Sequence, residues 1–460
     1  MKIVQLLLVG LLQIQLIHGQ TTLPDTIVSN TTLVKTGSPY LVVYNMVINP
    51  GVTLTIEPGV VVKIANLATI TVYGNLIAIG NPVDSIYFQS ISDIQVWNTI
   101  ASDHANIEIS FVKVTEANML LSASGGDNIK ITHCNIISLA RGYGMDCIAV
   151  HDASRVTIEY ITLKGNGGKI SEGIKNDAID LDNVDSCFIR HNQIFNFSDD
   201  AIDIGTNTKY ALISDNIVHN SNYGVTVGES SIAYLDNITS YNNDGGIQVH
   251  TGATIYCHNN TLYSNTAGVE CYHSEEGETK QTGGIAFIKN TIFSQSTEDI
   301  TKQSSSSVTI SYSLSDKETL PGDSNLMDDP MLTDPANGNF RLMTGSPCFN
   351  AGEPDSNYYR VNIGVFQLPD SVSAINGVEN YSASISVYPN PAEDILFIKI
   401  PFKADVKYVA MIYDMTGRLI LSNQIDNELN SLSISDFASG IYIIQVNSSN
   451  CNYSDKFTKK

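Results

Sequence analysis

From about Thr21 onward the chain shows almost no helical periodicity. Apolar residues alternate with polar ones in short runs, many of them β-branched, and clusters of Asn, Asp, Gly and Ser separate the runs. This pattern predicts short strands with one buried face and an all-β protein. The middle of the chain repeats: CFIRHNQIFNFSDDAIDIG, ALISDNIVHNSNYGVTVG, AYLDNITSYNNDGGIQVH and TIYCHNNTLYSNTAGVECY each carry three small strands. Registered before their last strand, the pieces place Asp180, Asp203, Thr226, Gln248 and Glu270 in equivalent positions, 23, 23, 22 and 22 residues apart.

A period that constant is too short for four-stranded propeller blades and lacks the leucine-rich pattern. It fits one rung of a parallel β-helix, with rungs stacked ~4.8 Å apart like any paired strands. Asn192, Asn216 and Asn260 recur at one bend, with Asn135, Asn237 and Asn290 in looser register. Stacked Asn amides can satisfy backbone groups that a tight bend would bury unpaired, so an interior ladder is expected, although Asn also favours turns on its own. The alternation extends back to residues 52–80 and resumes at 307–316, and the Pro- and Gly-rich stretch 317–365 is expected to cap the open solenoid end.

Composition narrows the partners. The 460 residues include 47 Asp plus Glu against 25 Lys plus Arg, a net charge of −22, with no basic cluster. Nucleic acid and anionic lipid are disfavoured, and an anionic polysaccharide needs a bridging cation. Residues 1–19 read as a secretory signal peptide cleaved near Gly19: Lys2 precedes an apolar run that Gln13 and Gln15 keep too short for a membrane anchor. No later segment is apolar enough to span a bilayer as a helix. The seven cysteines are scattered and contain no CxxC pair, which suits interior filling of strands better than a disulfide framework.

Two neighbouring rungs differ from the rest. They read Asn176-Asp177-Ala178-Ile179-Asp180-Leu181-Asp182 and Asp199-Asp200-Ala201-Ile202-Asp203-Ile204-Gly205. With Ile179, Leu181, Ile202 and Ile204 pointing inward, the period of two sends Asp180, Asp182 and Asp203 outward, and Asp177, Asp199 and Asp200 fall on the turn before the strand. Six carboxylates on one small surface repel one another, and a cation relieves that. Oxygen donors without His or thiolate favour Ca2+, with Asp177, Asp180, Asp199, Asp200 and Asp203 as the expected ligands. The alternative is a solvated acidic patch.

Segments 52–80 (LTIEPGVVVKI with LIAIG) and DPMLTDPANGNFRLMTGSPCFNAG, closing in IGVFQ, resemble the first rungs and the cap of secreted right-handed parallel β-helix proteins, the superfamily that includes pectate lyases. That fold carries lyases, hydrolases, adhesins and inert stalks. The DDxxD run preceded by DxxD resembles the calcium site of family-nine pectate lyases, matched here by Asp177, Asp199, Asp200 and Asp203, with Asp180 added. The resemblance implies that calcium holds a substrate uronate and that a Lys on a following rung takes the proton beside its carboxylate. The chain departs from that pattern: no Lys lies between Lys209 and Lys280. Lys169, Lys175 and His250 are the substitutes, with Lys175 and His250 the catalytic candidates. The loops 165–175 and 273–284 are expected to wall the groove, and Tyr143, Tyr223 and Tyr272 to offer sugar stacking.

After a polar linker (367–384), residues 385–460 read as a small β-sandwich. YPNPA (Tyr388 to Ala392), the turn MTGR (415–418), GIY (Gly440 to Tyr442) and the basic Lys456, Lys459 and Lys460 resemble the C-terminal sorting domain of the type nine secretion system. That implies an address read by the secretion machinery and a passenger delivered to the cell surface or outside. The expectation is therefore a monomeric, exported β-helix (20–366) that binds an acidic polysaccharide through calcium, as a candidate polysaccharide lyase. The competing reading is a non-catalytic adhesin or scaffold with a structural calcium. A glycoside hydrolase using Asp180 and Asp203 ranks last.

Overall fold

Three parallel sheets run the length of the solenoid because each rung contributes one strand to each. A computed structural model describes residues 20–138, 145–166, 175–273, 282–354 and 361–365, and in the C-terminal part 386–388, 392, 394–400, 408–414, 419–425, 427, 429–448 and 452–460. The first sheet has 14 strands, from Thr21–Thr22 to Leu326–Met327. The second has 12, from Thr26–Ile27 to Glu298–Lys302, and the third has 12, from Thr31–Leu33 to Ser307–Ser311. The fold is the right-handed parallel β-helix that the repeat predicts. The signal peptide lies outside the described residues, among which no helix is long and apolar enough to cross a membrane.

The inward positions are those of the period-two pattern. Ile179, Leu181, Ile202, Ile204, Val225, Val227, Ile247 and Val249 are fully buried in one continuous core. Cys134, Cys147, Cys187, Cys257, Cys271 and Cys348 are buried and unbridged, while Cys451 lies outside the described residues.

The Asn ladder is present, with a correction to its members. Asn216 Oδ1 accepts from Asn192 N (3.0 Å) and its Nδ2 donates to Ile189 O (2.7 Å). Asn192 and Asn260 bind their neighbouring rungs in the same way. Asn135, Asn237 and Asn290 lie one residue out of this column, which Cys134, Ile238 and Thr291 occupy instead. Asn237 and Asn290 take the left-handed conformation of the bend, at φ of 53–55°, which Asn adopts more readily than most residues. A second ladder at the bend entering the second sheet went unread. It runs through Asn176, Ser198, Ser221, Asn243 and Asn265, each accepting a backbone N–H from the adjacent rung.

The segment expected as an end cap does something else as well. After Leu326–Met327 extends the first sheet, a hairpin (Leu332–Asp334 with Asn339–Leu342) turns back along the solenoid's side. Phe340 packs on Tyr241 and Tyr263, with centroids 5.0 and 5.6 Å away. Ile363, Cys348 and Leu342 cluster with Ile292 and Leu314, Gly364 N donates to Asn290 O, and Lys289 pairs with Glu353 at 2.7 Å.

The chain divides between Asp370 and Ser371 into two units. The second consists of antiparallel sheets of three and four strands around Leu396, Ile398, Tyr408, Ile412, Ile444 and Phe457. Lys456 and Lys459 belong to its last strand, Asn452–Lys459, and the MTGR turn lies outside the described residues.

Candidate functional site

The second sheet brings the acidic rungs together as vertical neighbours. Strand Ile179–Asp182 pairs in parallel with Ile202–Ile204, with Asp180 opposite Asp203, and the column continues through Thr226, Gln248, Glu270 and Thr301. Thr226 and Gln248, expected on an open face, are only 3% and 5% exposed. Tyr223 lies over Gly245, where a Cβ would come within 2.2 Å of its ring, and His250 stacks on Tyr272 at 5.2 Å.

The carboxylates form two groups. Ligand atoms of Asp177, Asp199 and Asp200 lie within 4.8 Å of one another, and so do those of His151, Asp180 and Asp182. Asp203 stands beside Asp180 in register. In the first group Asp200 N donates to Asp177 Oδ1 (2.7 Å), Asn222 Nδ2 donates to Asp199 Oδ1 (2.9 Å), and Lys175 Nζ stands 3.8 Å from Asp199 Oδ2. Asp200 is buried and its Oδ1 has no hydrogen-bond partner of ordinary geometry, although the neighbouring Thr226 hydroxyl acts to lower its pKa. In the second group His151 Nδ1 is 3.3 Å from Asp182 Oδ2, and Asp182 Oδ1 accepts from Thr206 N at 2.5 Å.

Burial and mutual repulsion set the proton affinities. Desolvation first, then the charges of Asp200 and Asp203, hold Asp177 well above the ordinary carboxylate range. Desolvation followed by Asp200 and Asp180 does the same to Asp203. Asp180 is raised to about 7 by burial and then Asp182, and Asp200 to about 7 by burial and then Asp199. Asp182 moves down because His151 bonds it, and the same bond raises His151. A surface that strains to hold this much negative charge is suited to receive a cation.

Of the predicted proton acceptors, Lys175 sits at the edge of the first group, with its side chain 68% exposed. His250 lies further along the helix, with its imidazole over Gly228 and its Nδ1 3.0 Å from Thr251 Oγ1, and burial lowers its pKa. Lys169, Tyr143 and most of both expected walls, 167–174 and 274–281, lie outside the described residues. The only Trp, Trp97, is fully buried and donates Nε1–H to Thr115 O, so it offers no sugar platform.

Two functional-type residues escaped sequence reading. His151 is the register partner of Asp182, and Asp146 Oδ1 accepts from Asp177 N at 2.8 Å. Both stand 31 residues before their partners rather than 22 or 23, because the segment containing 167–174 is inserted between the rungs. The signal available was the D-x4-H of Asp146 and His151 set above the D-x4-D of Asp177 and Asp182.

Comparison with known proteins agrees with this architecture. Residues 146–313 match the right handed beta helix region family, and residues 386–460 match the secretion system C-terminal sorting domain. The protein is accordingly a right-handed β-helix carrying an address for type nine secretion, which delivers it to the cell surface or the extracellular space. Among solved structures, the periplasmic alginate epimerase AlgG is similar at 12% identity over 59% of this chain and 75% of its own, with a TM-score of 0.32. An alginate lyase from Paenibacillus sp. str. FPU-7 is similar at 12% identity over 56% of this chain and 91% of its own, with a TM-score of 0.28. No curated protein matches the sequence.

Proposed function

We propose that the exported solenoid binds an acidic polysaccharide along the outward face of its second sheet through calcium, and cleaves it by β-elimination. The observation that carries this reading is the buried Asp200 carboxylate, with one oxygen unpartnered, beside Asp177 and Asp199. A buried polar atom without a partner costs about 1–3 kcal/mol, and more when charged, which a cation at that point offsets. All three side chains offer hard oxygens, which suit Ca2+. Three carboxylates also leave room in a shell of six to eight oxygens for water and a sugar carboxylate.

Bound there, the ion neutralises the charge that develops on a uronate as its α-proton leaves. Asp177, Asp199 and Asp200 hold the ion. Lys175, at the rim, supplies a positive charge for the polymer's carboxylates in a chain whose net charge is −22. The scaffold reading is favoured by one feature: the column beyond Asp203 offers Thr, Gln, Glu and Thr where a lyase lysine is expected. On that reading calcium staples two rungs and the groove only binds.

Calorimetric titration of chelator-treated protein with calcium tests the ion. Asp200→Asn is expected to weaken binding tenfold or more, and unchanged affinity sinks the site. Polygalacturonate, alginate and glycosaminoglycans, each with and without chelator, test the reaction through the absorbance of unsaturated uronate. Calcium-dependent binding to a polymer without product on any of them leaves the scaffold reading.

A further inference from the structure

The acidic face contains a carboxylate-oriented imidazole that no role described so far uses. His151 and Asp182 face each other across adjacent rungs, with Nδ1 to Oδ2 at 3.3 Å, and the other oxygen of Asp182 is fixed by Thr206 N. The next rung supplies Gly205 directly beside them: a Cβ there would come 2.1 Å from Asp182 Oδ1. The carboxylate thus occupies space that only glycine leaves, and its position is set from three sides. Both side chains remain open to solvent, at 42% for His151 and 31% for Asp182.

We propose that His151, positioned by Asp182, is the proton acceptor of the β-elimination; this rests on the reading of the groove as a calcium-dependent polyuronate site. A carboxylate on Nδ1 holds the proton on that nitrogen and leaves Nε2 with its lone pair free for chemistry. The pair joins Asp180 within 4.8 Å, and Asp180 follows Asp177 by three residues, at most about 10 Å of extended strand. A sugar whose carboxylate meets an ion at Asp177, Asp199 and Asp200 can therefore lie across Asp180 with its ring toward His151.

Nε2 takes the proton from the carbon next to the uronate carboxylate. The electron pair of that C–H bond becomes the new C=C bond, and the glycosidic C–O bond at the neighbouring carbon breaks. The departing oxygen takes a proton from water in the open groove, and the imidazolium returns its own to solvent. No redox partner is needed. Lys175 is the competing acceptor, but its side chain is 68% exposed and its ammonium faces Asp199, one of the expected calcium ligands.

The test uses the mature full chain on the polyuronate it cleaves. His151→Ala is expected to lower kcat by about 10²–10⁴, with KM, calcium affinity and melting temperature nearly unchanged, and imidazole added to the buffer restores part of the rate. Gly205→Ala, which pushes Asp182 aside, is expected to lower kcat while sparing calcium affinity. An unimpaired His151→Ala, or loss of kcat in Lys175→Ala alone, overturns the assignment while leaving the groove reading intact. A wild-type protein that cleaves no polyuronate overturns the assignment together with the lyase reading, and calcium-dependent polymer binding without product then leaves only the scaffold.

Discussion

At the scale of single residues, the Asn ladder shows how much one side chain can carry in this fold. Asn216 is fully buried, and its amide satisfies one backbone N–H and one backbone C=O of the preceding rung. Asn216→Ala leaves both groups dry and unpaired and is expected to destabilise the solenoid by about 2–4 kcal/mol, measurable by chemical denaturation. Asn237→Ala, at an exterior bend of positive φ, should cost markedly less. Sequence periodicity identified the ladder because the clean repeats keep one spacing. It misplaced Asn237 and Asn290 because a one-residue offset moves an Asn from an interior column to the bend, and both positions favour the same residue. His151 and Asp146 were hidden by the insertion before Asp177, which breaks the count on which registration depends.

At the scale of elements, the adjoining strands Ile179–Asp182 and Ile202–Ile204 are destabilised by their own carboxylates. Asp177, Asp180, Asp200 and Asp203 all have folded-state pKa values above those of an unfolded chain. As pH rises the unfolded chain ionises first. The stability these groups lend is therefore complete below about pH 4 and is lost as pH climbs toward and past 7, with Asp182 alone working in the other sense. Chelated protein is expected to melt several degrees higher at pH 5 than at pH 7.5. Calcium should recover the difference at pH 7.5, and Asp203→Asn should shrink it. A melting temperature indifferent to pH in the chelated protein refutes this account. The placement of the two strands was legible in the sequence, since alternation and period fix face and register. The division of the acids into two groups was not, because it depends on how Asp182 is drawn to His151 over Gly205.

At the scale of the whole molecule, the two units have separate tasks. Residues 386–460 form the sorting domain, and the solenoid is what it exports. Deleting that domain is expected to keep the solenoid folded but inside the cell envelope, as fractionation with antibody detection would register; delivery to the surface without it would contradict the assignment. The sorting motifs were readable because they coincide in order over a short span. The route of the segment 317–365 was not, because its loops carry no period, and its contacts with Tyr241, Tyr263 and Ile292 join residues far apart in the chain.

That route bears on how the solenoid comes apart. Stacked coils that touch only their nearest neighbours would peel from a terminus one turn at a time. The strap formed by Phe340, Cys348 and Ile363 ties the turn of Tyr241 to that of Leu314, so the last several coils must loosen together or not at all. A molecule released among extracellular proteases thereby gains a far end that does not unravel stepwise.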